Sequence, residues 1–260
     1  MSELLLVPVA AVGRRALNAA AWIGRWASLM SEAARQLARP QSWRPNLLSQ
    51  MARIGVDSLP IALFISLFTG IVLALQASYT LTGAVPLYFV GALVSKTMMI
   101  ELGPVLTGLA ISGRVGANIA AQIGTMRVTD QIDALETLGY NPVGYLVVPR
   151  ILAGAIMTPA ITYLAILIGI TAGWATSLSV LNMTTPEFVK GIELFFEPFD
   201  LQFAGIKAAS FGFAVTSIGC FAGFRTTGGA EGVGKAATSA VVVSSMVILV
   251  LDAFWAMALL

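Results

Sequence analysis

The sequence predicts an all-α integral membrane protein with about five transmembrane helices. Three observations carry that prediction. The 260 residues are 57% hydrophobic and only 11% charged, against about 25% charged in a soluble domain. Several apolar runs approach the ~20 residues a helix needs to cross hydrocarbon. The lysines and arginines cluster in the segments between alternate runs, as topology-setting cations do.

Residues 1–53 hold seven arginines and no lysine. Val9, Val12, Ala16, Ile23, Ala27, Met30, Ala34 and Leu37 recur at spacings near three and four, with Arg14, Asn18, Arg25, Glu32 and Arg39 largely opposite. That pattern predicts an amphipathic helix, lying in the membrane interface or packed on the protein's own cytoplasmic side. The apolar stretch LLLVPVAAV precedes Arg14. A secretory signal has the reverse order. Pro40 and Pro45 are expected to end this helix.

The remaining chain, 54–260, reads as one membrane domain. Spans are expected at Val56–Leu81, Pro86–Ser112, Ile151–Val180, Phe203–Phe224 and Ala237–Leu260. Gly70, Gly83 and Gly91 would allow close helix approach. The segment between Asn182 and Asp200 is too short of apolar length to cross. Its acids and its four phenylalanines suggest a short helix on the outer leaflet or on a partner. Twelve of the fifteen cations fall in the N-terminal segment, the 113–150 segment and the 225–235 loop. The N-terminus is therefore expected in the cytoplasm and the C-terminus outside.

Composition excludes much chemistry. There is no histidine, hence no imidazole metal site and no Ser–His catalysis. The single cysteine, Cys220, can form no intrachain disulfide. GAEGVGKA, Gly229–Ala236, nearly spells a nucleotide-binding P-loop. The hydroxyl position is Ala236, and a span rather than a strand precedes it. It reads as a Gly-rich hairpin, and no cofactor is expected in this chain.

AQIGTMRVTDQIDALETLGYNP, Ala121–Pro142, predicts a short acidic helix. Val128, Ile132, Leu135 and Leu138 fall at helical spacing, with Asp130, Asp133 and Glu136 on a neighbouring face. Thr129 is the expected N-cap, and Gly139 with Asn141–Pro142 supplies the stop. Arg127 sits at the positive end of that helix dipole, where a partner or an intrachain acid would have to balance it. The apolar stripe has no soluble domain of this chain to cover it, so a partner protein is the expected cover.

MIELGPVLTGLAISGRVGANIAAQIGTMRVTDQIDALETLGYNPVGYLVVPRILA, Met99–Ala153, resembles the signature of the MlaE-type permeases, the membrane subunits of ABC transporters that move lipids with MCE-domain partners. The likeness extends to LALQ, Leu73–Gln76, and to Gly229–Val243. It implies a homodimer of five-span chains in a bacterial inner membrane. It further implies a cytoplasmic ABC ATPase that binds ATP and magnesium, with room for a small STAS-type regulatory subunit, and a periplasmic ring of MCE domains. Thr125–Gly139 would correspond to the coupling helix seated in the ATPase, through Arg127, Asp130, Ile132, Asp133, Leu135, Glu136 and Leu138. Phospholipids or related lipids would be the substrates. No nucleic-acid partner and no catalysis by this chain are expected.

Glu101 lies inside an apolar run, followed at once by Gly103 and Pro104. Pro104 cannot bond the Ile100 carbonyl, and its ring crowds that turn, so a helix break is expected there. A freed carbonyl and a carboxylate are tolerated in a membrane only against protein or in a wet cavity. Glu101 and Gln76 are therefore expected to line the lipid pathway, with Leu73, Leu75 and Tyr79 meeting acyl chains. The competing expectation is that Glu101 only bonds a neighbouring helix. Members of the family often carry a basic residue just before this glutamate. Here that residue is Ile100, and Lys96, the nearest cation in the sequence, is the candidate to replace it in the lipid pathway, though at a poor spacing for one helical face. A proton-coupled secondary transporter, which usually shows inverted repeats, a lipid-acting intramembrane enzyme and a non-transporting scaffold are the rival readings.

Overall fold

The computed structural model describes residues 2–80, 86–181 and 183–259, without the side chains of residues 2–12 and 14–16. Gly83, Leu81 and Asn182, and the side chains of Val9, Val12, Arg14 and Ala16, lie outside the described residues.

Eight helices follow in order: α1 Ser2–Leu37, α2 Pro40–Thr80, α3 Tyr88–Val128, α4 Gln131–Thr137, α5 Val143–Val180, α6 Thr185–Phe195, α7 Pro198–Phe224 and α8 Gly229–Leu259. There is no strand among the described residues. The five helices α2, α3, α5, α7 and α8 are long and apolar enough to cross a membrane.

Several expected boundaries move. α1 ends at Leu37, before either proline. Pro40 opens α2 instead, at the first turn, where its missing N–H leaves no bond unmade. Pro45 lies inside α2, which continues through a 3₁₀ turn at Val56–Ser58 into the first span. The polar segment after Ser112 is helical as far as Val128. The Gly-rich hairpin is replaced by a short connection at 225–228, with Gly228 and Gly229 at positive φ, and GAEGVGKA forms the first turns of α8.

The expected break at Gly103–Pro104 is absent. α3 widens into a π turn at Met98–Leu102 and resumes as α-helix at Gly103. A wider turn gives the proline ring room against the preceding carbonyl. α5 begins the same way, with a π turn at Val143–Val147 just ahead of Pro149. In both places the carbonyl that the proline leaves without an N–H is met from another helix. Lys207 Nζ donates to the Ile100 carbonyl at 3.2 Å. Asn46 Nδ2 donates to the Tyr145 carbonyl at 3.4 Å.

α5 lies centrally, packed against α2 on one side and α7 on the other. Small residues set both crossings. A side chain at Gly70 would strike the Gly169 backbone, and one at Gly212 would strike the Gly154 backbone. Such contacts let van der Waals packing operate where lipid removes the hydrophobic drive between helices. Gly91 and Gly191 likewise bring the start of α3 against α6, beside the buried Phe188. The α6 N-terminus is closed by a capping box between Thr184 and Glu187. The Thr184 N–H and hydroxyl both donate to the Glu187 carboxylate, which holds Glu187 below the ordinary carboxylate range.

α1 seats one side on the protein. Trp22 meets Phe221 edge-on at 4.9 Å, and Ala33 is buried. Ile23, Ala27, Ala34 and Leu37, from the expected apolar stripe, face away and are exposed.

Candidate functional site

Lys207 of α7 has no exposed side-chain surface. Its ammonium donates to Glu101 Oε2 at 2.8 Å and to the Ile100 carbonyl, and it pairs with Asp252 of α8. The Phe203 ring lies 5.0 Å away, in cation–π range. Three acceptors from two neighbouring helices thus surround a group with three donors. The glutamate keeps 43% of its side chain exposed, while Asp252 keeps 14%. A carboxylate is therefore held at the surface of the helix bundle by a cation sealed inside it. Two acids around one cation also leave the cluster open to a further cationic or hydrogen-bonding group.

The π turn is what makes this geometry. It rotates Glu101 and the free Ile100 carbonyl toward the same ammonium. Sequence reasoning assigned no role to Lys207 or Asp252. Each is the lone acid or base within its expected apolar span, 203–224 or 237–260, and that signal alone marks functional candidates.

Lys96 is not the partner of Glu101. Its ammonium bonds both carboxylate oxygens of Asp200, at 2.9 and 2.7 Å, and lies 3.7 Å from Glu197. It ties the start of α7 to α3. Leu73 packs into a core cluster with Met98 and Phe188. Gln76 and Tyr79 are exposed on α2, and Gln76 makes no side-chain hydrogen bond to Glu101 among the described residues.

The acidic helix forms as α4, but its start and its cover differ from expectation. Asp130, in the left-handed region at φ 57°, precedes it, and the Thr129 hydroxyl bonds back to the Thr125 carbonyl. Ile132 is buried, and Leu135 packs against the same core of this chain. The stripe therefore needs no partner to cover those two. What faces outward is Leu138, 73% exposed, with Asp130, Asp133 and Glu136. Arg127 is balanced within the chain, by Asp133 at 2.6 Å.

Residues 47–258 match the family described as Permease MlaE. The chain belongs to the MlaE permease family. The permease is similar over 81–95% of its length to several bacterial proteins. It is 37% identical over 247 residues to a probable ABC transporter permease protein of Rickettsia felis, covering 95% of each chain. It is 39% identical over 211 residues to one of Synechocystis, covering 81% of this chain and 80% of the other. It is 33% identical over 247 residues to the intermembrane phospholipid transport system permease protein MlaE of Haemophilus influenzae, covering 94% of each. The permease is thus a multi-pass membrane protein of an ABC transporter family, and the resemblance drawn from Met99–Ala153 holds.

Proposed function

We propose that this permease moves phospholipids or related lipids between membranes, as a homodimer in the inner membrane, driven by a separate ABC ATPase. The observation that carries the lipid path is the Glu101–Lys207–Asp252 cluster. It presents one partly exposed carboxylate at membrane depth, with its charge anchored behind it. An amphiphile's polar head would meet Glu101, and its chains would run over the exposed α2 side chains Leu75 and Tyr79, with Gln76 beside them. Lys96, tied to Asp200, would support the outer wall rather than touch the headgroup.

The ATPase would seat on the outward face of α4, through Asp130, Asp133, Glu136 and Leu138. ATP and magnesium would bind there and not in this chain. A STAS-type subunit would sit on the ATPase, and a ring of MCE domains would cap the opposite face near α6. The N-terminus would be cytoplasmic and the C-terminus periplasmic, by the distribution of cations. The deciding experiment is reconstitution in vesicles with and without the partner ATPase. Lipid transfer should require ATPase and ATP, and Glu101→Gln should slow it without loss of the assembled complex. Transfer by the permease alone, driven by a proton gradient, would instead make Glu101 a proton site.

A further inference from the structure

A second charged site lies away from the Glu101 cluster, where α2 passes α3. Gln50, Arg53, Asp57, Arg114, Asn118 and Gln122 face a cavity of about 240 Å³. Two irregular turns contribute to its walls, the 3₁₀ turn at Val56–Ser58 through Asp57 and the π turn at Ser112–Gly116 through Arg114 and Val115. Arg114 donates to the Ser58 hydroxyl at 3.2 Å, which holds its guanidinium at that turn. Behind Gln122 stands Arg150 of α5, only 5% exposed. Arg150 donates to the Leu146 carbonyl at 2.7 Å and to Gln122 Oε1 at 3.4 Å, and its Nε has no partner among the described residues.

None of these three arginines forms an ion pair among the described residues. Asp57 is the one acid lining the cavity. Arg150 is buried without a counterion, which is costly, and Arg53 and Arg114 open onto the cavity as exposed cations, so the positive charge gathered here calls for an anion from outside the chain. Arginine suits phosphate, whose oxygens match its planar donors.

The surroundings choose between a lipid phosphate and a free one. The apolar part of the first span begins at Leu59, and that of the second ends at Ile111. The cavity therefore sits at the membrane boundary, where lipid phosphates lie. Continuing at helical spacing from Arg53 and Asp57, α2 presents Ile61, Phe64 and Phe68, all exposed. A polar pocket running into an apolar stripe has the shape of an amphiphile.

We propose that Arg53 and Arg114, backed by Arg150, bind the phosphate of an anionic phospholipid in the leaflet on the N-terminal side, with its chains along Ile61, Phe64 and Phe68. The site lies at the Arg53 end of the α2 stripe, away from Glu101, and would lock the α2–α3 contact.

The test uses the full-length permease in neutral phosphatidylcholine nanodiscs, doped with phosphatidylglycerol and read by native mass spectrometry and thermal unfolding. Arg53→Gln/Arg114→Gln is compared with the parent, leaving the buried Arg150 in place. Bound phosphatidylglycerol and a raised midpoint are expected in the parent. In the double variant affinity should fall about 30-fold, the loss of two cationic contacts. Phe64→Ser/Phe68→Ser should weaken the lipid but not inorganic phosphate. An equal rise in midpoint with inorganic phosphate alone would overturn the lipid assignment. So would unchanged phosphatidylglycerol binding in a folded double variant. Loss of the partner ATPase from that variant, with lipid binding intact, would give the arginines to a protein carboxylate and also overturn it.

Discussion

Lys207 Nζ of α7 lies 2.8 Å from Glu101 Oε2 of α3, so a buried ammonium and a half-exposed carboxylate join two membrane helices. The same ammonium meets the carbonyl that Pro104 leaves free. One side chain thus satisfies the backbone defect and the intramembrane charge together.

Lys207→Met should be strongly destabilising. It leaves Glu101 and Asp252 facing each other without a cation and orphans the Ile100 carbonyl. Breaking a buried pair from one side costs about 3–5 kcal/mol. Thermal unfolding in detergent should show a large fall in midpoint. Adding Glu101→Gln and Asp252→Asn to Lys207→Met should recover part of it, because the stranded charges are then gone. No recovery would mean that the lysine acts through packing alone.

Gly212→Leu and Gly70→Leu should each disrupt a helix crossing. The new side chain meets backbone of the facing helix rather than a movable side chain. Overpacking costs about 1–3 kcal/mol even where neighbours can shift, and backbone shifts less easily. Folded yield and midpoint should drop for both. Gly234→Leu, where a side chain meets nothing within 4 Å, serves as the control and should change neither.

The α6 cap should add a pH dependence. Glu187 is held below its ordinary range by the Thr184 donors. Its unfolded pKa is the higher of the two, so its contribution is full above that value and fades as pH falls through the folded one. The midpoint should therefore decline on acidification below the usual carboxylate range. Thr184→Val removes the hydroxyl donor and should flatten that part of the profile, measured as unfolding midpoint against pH.

The helical class, the five spans and the short acidic helix were legible because each is local: apolar length and period are written in consecutive residues. The partners of charges were not. Glu101 finds Lys207 and Asp252, more than 100 residues away, while Lys96 turns to Asp200. Pairing across helices depends on rotation about each axis, and a π turn changes that rotation by adding a residue. The proline signalled a defect at Ile100, and only the packed structure shows it absorbed rather than broken. Gly70 and Gly91 were read as contact points and are so. For α4, Ile132 and Leu135 share one side as read, but Val128 belongs to α3 and Leu138 faces outward, and the cover was misjudged because the core of the same chain reaches Ile132 and Leu135.

That last point decides which residues of α4 can report on a partner. Leu135→Asp would place a charge against the chain's own core and confound folding with docking. Leu138 is exposed and apolar, and Asp133 is surface-exposed and, among the described residues, bonded only to Arg127. An exposed ion pair of this kind contributes about 0.2–1 kcal/mol, so Asp133→Lys should leave the fold nearly intact. Leu138→Asp should do the same, since nothing of this chain covers it. If α4 seats in an ATPase, the double change Asp133→Lys/Leu138→Asp puts a repelling cation and a solvated acid into a packed apolar joint. The ATPase should then be lost on co-purification while the permease keeps its unfolding midpoint. Full stoichiometry in that double variant would show that α4 carries no joint, and the drive would have to enter elsewhere.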